Sequence, residues 1–527
     1  MTQQYPCPNC GKPMVRNSKA QSGKQRWVCK RYDRGDSRGT YCYSTTNPAG
    51  AKTDRAGRRS KKEPVFRRSL EGTERFLVTA AQNATPAHEG FMRSLQQASK
   101  ALDAEILVIP IRYKNPTSDW SESQKNDEVW SSEVSDYLYN VRRNLNPNLI
   151  LMGDIKTQPT ASAPLTGFDG ITGGSSGIFG HTKLQLRTVP TPQGRLPKIL
   201  TTTGACTVPN YTDSRAGKLG EFHHTLGAVM VETRGKEFHL RQINADKSGA
   251  FIDLDKWYTP DSVQNAPPAL ALSMGDTHVR AVDPQVVEAT FGRLGIVEVL
   301  DPQVLAWHDL LDGESINHHH RGNPFLAAHK RAFNLDDAER EVQEAIEFLG
   351  KYTKGRKSIV VPSNHDDFLQ RWLMSADWRQ DPTNAEFYLE SALAMVRQAK
   401  QRGADAERLN AFTYWVQRLL KGRGDIRCLQ NDESYNVGGV ELSMHGDRGP
   451  NGARGSIKNL RRIGVKSIIG HSHSPGIDEG AYQNGTSTRL RLGYNVGPSS
   501  WLNAHTVVYA NGKRSLINII DGKWRLE

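Results

Sequence analysis

Five short apolar β-runs in the second half of the chain each end in Asp, Asn or His, and that repetition constrains the fold more than any other feature. Ala269–Met274 leads to Gly275-Asp276-Thr277-His278, and Val304–Trp307 leads to His308-Asp309. Ser358–Val361 leads to Pro362-Ser363-Asn364-His365-Asp366, Val440–Met444 to His445, and Val465–Ile469 to Gly470-His471-Ser472-His473. Polar groups at the ends of neighbouring strands converge on one edge of a sheet, where rigid strands hold them within the tolerance a metal site needs. Asp-x-His and His-x-His suit that use, because alternate residues of an extended segment point the same way. A mixed set of carboxylate, imidazole and amide donors suits manganese, iron or zinc. Two such ions side by side clamp the attacking and leaving oxygens of a phosphoryl transfer.

The order Asp-x-His, Asp, Asn-His-Asp, His, Gly-His-x-His resembles the calcineurin-like metallophosphoesterase superfamily over roughly residues 265–500. The resemblance implies a two-sheet αββα sandwich of α/β class and a site for two divalent metal ions, manganese favoured, with iron, zinc or magnesium as alternatives. Asp276, His278 and His473 would hold one ion, Asn364, His445 and His471 the other, and Asp309 would bridge them. His365 would stabilise the phosphoryl oxygens and protonate the leaving alkoxide. Asp366 would either orient His365 or stand as a surface carboxylate. Asp312 is a rival to Asp309. Two positions depart from the family pattern: His308 and Ser363 stand where glycine is usual. Glycine there allows a positive φ or a close backbone approach, so a different local turn is expected. His318-His319-His320 reads as an exposed loop, and Arg321 as a candidate phosphate contact.

The first half of the sequence carries a different signal. Four of the six cysteines fall in the first 42 residues: Cys7, Cys10, Cys29 and Cys42. Cys7-Pro8-Asn9-Cys10 is a C-x2-C knuckle, and 18 residues separate Cys10 from Cys29, a usual span for a zinc ribbon. Four thiolates around one structural Zn2+ can fold a segment too small for its own core. The stretch Gly23-Lys24-Gln25-Arg26-Trp27-Val28-Cys29 resembles the ribbon that opens many insertion-element transposases, which implies contact with DNA. There the ribbon closes with a second C-x2-C, whereas here twelve residues lie between Cys29 and Cys42. Residues 1–75 hold 18 Lys and Arg against 6 Asp and Glu, so +12 of the chain's +13 sits there. Charge of that density suits a polyanion, nucleic acid first. Lys24, Arg26, Trp27, Arg58, Arg59, Lys61 and Lys62 are the candidate contacts.

The resulting division of the 527 residues is a zinc ribbon at 1–50, a basic linker at 51–75, an α/β domain of unknown role at 76–262 and the phosphoesterase domain at 263–527. Within the third segment His88–Leu102 and Asp127–Asn140 have helical spacing. Gly153-Asp154 ends a strand without the His a metal loop would need. Gly167–Gly180 is rich in glycine but lacks a phosphate-loop Lys-Ser/Thr, and it reads as a mobile loop. Asp336–Gly350, Ala385–Arg402 and Leu409–Gly422 read as helical insertions, and Ser487–Tyr494, Thr506–Ala510 and Ser515–Trp524 as strands. No run of apolar residues is long enough to span a membrane, and the start has no signal-peptide pattern, so a cytoplasmic protein is expected. Self-association stays open.

A serine/threonine phosphatase would carry Asp-Arg-Gly after the second block, and here Asp312-Gly313 lacks the Arg. A nuclease gains from both the ribbon and the basic arm, because they raise the local concentration of its substrate. The nuclease branch that includes double-strand-break-repair exonucleases shares the ligand order, and the layout also looks like the large DNases of lytic phages that degrade host DNA. The expected function is therefore a metal-dependent DNase. The alternatives are a phosphatase or phosphodiesterase acting on small phosphoesters, and a non-catalytic DNA-binding protein.

Overall fold

The computed structural model describes residues 5–7, 13–19, 24–30, 41–45, 65–115, 129–192, 194–317, 320, 322–402 and 410–526. It divides into two compact units, Met1–Val65 and Phe66–Glu527. The first is a four-stranded antiparallel ribbon of Tyr5–Pro6, Pro13–Lys19, Gln25–Lys30 and Tyr41–Thr45, paired in sequence order. Its small core gathers Cys7, Met14 and Cys29 against Trp27. Lys24 and Arg26 are exposed, Trp27 is half-buried, and Arg16 lies over the Trp27 ring at 5.3 Å.

The second unit is mixed α/β with several sheets. A six-stranded sheet runs in the order Ile426–Cys428, Lys357–Val360, Val304–Trp307, Ala271–Ser273, Asn503–Val508, Arg514–Ile519. Its first four strands are parallel and its last two antiparallel. Val304–Trp307, inside the sheet, reads as an unbroken apolar run because both of its faces are buried. Along Val304–Trp307, Leu305 and Trp307 enter a core shared with the helices Ala338–Thr353, Asp367–Ser375 and Ala411–Leu419. Val304 and Ala306 enter a second core, together with Val440, Ile468 and Ile477 of the neighbouring sheet. The period-two alternation of one strand thus joins two layers.

That neighbouring sheet has ten strands and draws on both sides of residue 262. Asn436–Val437, Val440–Glu441, Lys466–Ile469, Ala481–Gln483 and Gly476–Asp478 form one half. Gln185–Val189, Lys198–Thr202, Ser176–Phe179, Leu149–Met152 and Arg142–Asn146 form the other. The halves join where Leu186 pairs with Ile477. A further four-stranded sheet, Glu237–Asn244, Gly227–Arg234, Arg75–Gln82 and Glu105–Ile111, carries the helix Glu89–Leu102 over its own core. No helix among the described residues is long and apolar enough to cross a membrane.

Three local expectations change. Within Asp127–Asn140 the described residues form only a short 3₁₀ turn, Ser132–Tyr137. Trp130 is pinned by its indole N–H to the Ala81 carbonyl at 3.1 Å, and a segment rich in Ser and Asp competes poorly for helix. Ser487–Tyr494 is not a strand. Ser487 Oγ donates to the Gly275 carbonyl at 3.0 Å and Thr486 Oγ1 to that of Asp276 at 2.9 Å, so this stretch braces the first ligand loop instead. Gly167–Gly180 ends in the buried strand Ser176–Phe179. A Cβ at Gly180 would stand 2.6 Å from Ile109 Cγ2, so close packing rather than mobility calls for glycine there.

Candidate metal centre

All five ligand blocks meet at one end of the two packed sheets. Ala271–Ser273, Val304–Trp307 and Lys357–Val360 run parallel, so the loops that follow them leave from the same edge. Lys466–Ile469 delivers the fifth block from the ten-stranded sheet. Backbone bonds stitch the loops together. The amides of Thr277 and His278 donate to the carbonyls of His308 and Asp309 at 3.0 and 2.6 Å, and Gly470 N–H donates to the His445 carbonyl at 2.6 Å. His278, Asp309, His471 and His473 all hold positive φ, at 42°, 45°, 73° and 57°. Non-glycine residues pay of order 1 kcal/mol or more for such geometry, which is a mark of functional sites. The turn at the second block thus takes its left-handed residue at Asp309, and His308 is left in an ordinary conformation.

The first expected metal group is assembled. Donor atoms of Asp276, His278, Asp309 and His473 lie within 4.8 Å of one another, all buried. His278 Nε2 and His473 Nε2 are 3.1 Å apart, and His473 Nε2 lies 3.2 Å from Asp276 Oδ2. The second group stands beside it. His445 Nε2 is 3.1 Å from both Asp309 Oδ2 and Asn364 Oδ1, and His471 Nδ1 is 2.9 Å from the same amide oxygen. Asp309 touches both groups, as a bridging carboxylate would, through His278 at 3.6 Å and His445 at 3.1 Å.

The donor set fits divalent ions. Asp276 is wholly buried; its Oδ1 accepts no hydrogen bond, and its Oδ2 meets His473 Nε2 at 3.2 Å. A buried carboxylate so placed calls for a cation. Burial opposes ionisation of Asp309, but the charges of His445 and then His365 overcome it and hold the carboxyl well below its usual range. Burial likewise opposes the charged forms of His445 and His278. The acid cluster wins, Asp309 acting first on His445 and Asp312 first on His278, raising them to about 10 and about 9. The cluster therefore draws positive charge, and divalent ions would displace protons from these two imidazoles.

His365 completes the edge. Its Nδ1–H donates to the Asp312 carbonyl at 2.8 Å, its backbone N–H donates to Asp309 Oδ1 at 3.2 Å, and its ring meets that of His278 at 4.3 Å. Burial, and then the charge of His278, push it down to about 4. Asp366 is buried rather than at the surface, and its Oδ1 accepts the Leu311 N–H at 2.9 Å. It ties the second loop to the third, while the Asp312 carbonyl orients His365.

Two residues play parts that their sequence positions did not reveal. Asp312 Oδ1 lies 3.4 Å from His278 Nδ1, where it can orient that ring, and with His278 and His365 it forms a further group of metal-capable donors. His308 is buried, with Nε2 3.1 Å from Ser273 Oγ and Nδ1 3.4 Å from His445 Nδ1. Its side chain thus backs His445, and with Asp276 and His445 it forms a second cluster of metal-capable donors. The only sequence signal for either was its place within the second block. Beside His473, the Trp501 ring stands 4.2 Å away edge-on, and the exposed Tyr494 follows at 5.8 Å.

The remaining candidates fall elsewhere. Cys7 and Cys29 are buried in the ribbon, Cys10 lies outside the described residues, and of Cys42 only the backbone is described. Among the described residues no group of cysteines forms a metal site. Arg58, Arg59, Lys61, Lys62, His318, His319 and Arg321 lie outside the described residues. His320 is half-buried, 3.6 Å from Glu314.

No protein-family model matches the chain. Over 474 residues the chain is 32% identical to Protein A1 of Escherichia phage T5, an alignment that covers 86% of this chain and 83% of that protein.

Proposed function

The chain belongs to the family of Protein A1 of Escherichia phage T5, and from that premise we propose that it is a two-metal DNA phosphodiesterase of the calcineurin-like type. One observation carries the reading: donors from five separate strand ends converge on one site, with a buried Asp276 carboxylate whose Oδ1 accepts no hydrogen bond. Asp276, His278 and His473 would hold one ion, Asn364, His445 and His471 the other, with Asp309 between. When bound, such ions supply Lewis acidity for the phosphoryl group and acidify the attacking water. The chain's own residues do the rest. Asp312 fixes the His278 ring, and its carbonyl occupies His365 Nδ1, so Nε2 is the atom left to exchange a proton with the reacting oxygens. Trp501 and Tyr494 offer an aromatic step on which a nucleobase beside the scissile phosphate can stack. The basic N-terminal segment supports DNA as substrate, and a phage-encoded enzyme of this kind would degrade host DNA in the bacterial cytoplasm.

The test is digestion of linear and covalently closed circular DNA with manganese, magnesium, zinc or EDTA. Metal-dependent loss of both forms is expected for an endonuclease, and loss of linear DNA alone for an exonuclease. His365→Gln should keep metal binding and lower turnover by about 100-fold or more. Asp309→Asn should lower metal stoichiometry in calorimetry and abolish cleavage. Wild-type protein that binds DNA but cuts neither form with any metal would refute the nuclease reading. Cleavage of a chromogenic diester alone would favour a small phosphoester as substrate.

A further inference from the structure

A cleft of about 650 Å3 in the Phe66–Glu527 unit lies away from the candidate metal centre. Lys466 lines it at the start of the strand Lys466–Ile469, whose other end leads to His471. Five residues of extended chain, at about 3.3 Å each, put the two sites on the order of 16 Å apart. His223, His224, Asp246 and Lys247 face the same cleft from the other half of the unit.

Its charge is unbalanced. On one flank Lys183 and Arg461 are matched by Glu479 at 3.0 Å and Asp478 at 2.7 Å. Asp246 Oδ1 is engaged by its own turn, accepting from Ser248 N–H at 2.8 Å and from Ser248 Oγ at 2.6 Å. Lys466, Lys513 and Arg514 line the cleft together, and among the described residues none of them has a carboxylate within 4.0 Å. Arg514 is only 7% exposed. Its Nη1 donates to the carbonyls of Ser467 and Gly480, each at 2.8 Å, and its guanidinium lies 4.1 Å from the Tyr482 ring centre. Burial, then the charge of Lys466, push the Lys513 ammonium below its ordinary value. Asp246, engaged by its own turn, is the carboxylate whose charge reaches Lys513, and the buried guanidinium meets carbonyls and a ring rather than a carboxylate, so a bound anion would offset the cost of burying its charge. Lysine and arginine together suit a phosphate.

Val208, Pro209, Leu226 and Ile477 give the cleft an apolar wall, beside polar residues that include Thr207, Thr225 and Asn244, and Phe222 is highly exposed. A cationic corner beside an apolar wall fits a ligand with a phosphate at one end and a flat organic body at the other. The volume lies within the range of small-molecule sites, about 300–1,000 Å3. We propose that this cleft binds a mononucleotide, with its phosphate held by Lys466, Lys513 and Arg514 and its base against the apolar wall. The site is independent of the nuclease reading.

The experiment is calorimetric titration of the full chain, in EDTA, with deoxyadenosine monophosphate, deoxyadenosine and inorganic phosphate as probes. One monophosphate per chain should bind, with the nucleoside and inorganic phosphate each weaker by about tenfold or more. Lys466→Glu with Lys513→Glu should weaken the monophosphate at least about tenfold, while Asp309→Asn leaves it unchanged. If the double variant fails to fold, Lys513→Gln serves, with a weakening of at least about threefold expected. Absence of saturable binding, equal affinity for nucleoside or for inorganic phosphate, insensitivity to the lysine variants, or loss of binding in Asp309→Asn would each overturn the proposal. None of these outcomes bears on whether DNA is cut.

Discussion

Gly470 shows how narrow the tolerances at the metal centre are. A Cβ built on it would lie 2.2 Å from Asp276 Oδ1, the carboxylate at the centre of the donor set. Gly470→Ala should therefore displace Asp276, lower manganese stoichiometry in calorimetry and cut DNA cleavage by about 100-fold or more. Unchanged stoichiometry and rate would show that Asp276 is no ligand. The same residue explains why Gly-His-x-His is legible as a unit: glycine gives the close approach and the alternate histidines join the candidate donor set. What the residues alone did not disclose depends on backbone trajectory. The left-handed turn at Asp309 sends His308 behind His445 and brings Asp312 to His278. A reader of the sequence sees a histidine where glycine is usual and a spare carboxylate three residues on. Both acquire roles only once the loop has folded.

Elements were legible in proportion to how locally their stability is decided. The parallel strands and the helices Ala338–Thr353, Ala385–Arg402 and Ala411–Leu419 follow from runs and periods that any window of sequence contains. The ten-stranded sheet does not, because its central join, Leu186 with Ile477, pairs residues almost 300 apart. Arg241 is a second long-range device, tying the end of one strand pair to the hairpin after it. Its Nη1 donates to Glu232 at 2.6 Å, and its Nε and Nη2 to Asp253 at 2.8 and 2.9 Å, all buried. Burial would raise Glu232, but the Arg241 charge outweighs it and the carboxyl is lowered. A lowered carboxyl contributes stability above its unfolded value and loses it as pH falls through the folded one. Arg241→Met leaves Asp253 without its guanidinium partner and Glu232 with Arg75 alone, 3.6 Å away, and should cost about 3–5 kcal/mol near pH 7 in urea unfolding. The two carboxylates then gain from protonation while the wild type loses, so the deficit should shrink towards about pH 4.5. A deficit that is constant across that range would mean the triad acts by packing alone.

At the scale of the whole molecule, the excess positive charge and the candidate metal donors fall in different parts of the sequence. Residues 1–75 carry +12, whereas the remaining 452 residues carry about +1. The candidate centre itself gathers three carboxylates, Asp276, Asp309 and Asp312, which repel a phosphate backbone until divalent ions offset them. On the proposed function, a long polyanion would be attracted chiefly by the N-terminal segment, and the candidate centre would attract it only when loaded. Removing metal with EDTA should abolish cleavage and leave most of the salt-dependent DNA affinity in place. Replacing Arg58, Arg59, Lys61 and Lys62 with Gln should do the reverse. Each cation withdrawn from a phosphate lowers the slope of log affinity against log salt by about 0.9, so four such cations would account for up to about 3.6 of it. Cleavage at saturating DNA should hold, since none of the four belongs to the donor set, while cleavage at limiting DNA falls and the deficit narrows as salt rises. Filter binding from low to moderate salt, paired with turnover at high and low DNA, measures both quantities. An unchanged slope would assign DNA capture to the Phe66–Glu527 unit, and a fall in saturated turnover would mean that these cations position the scissile phosphate as well as attract the polymer.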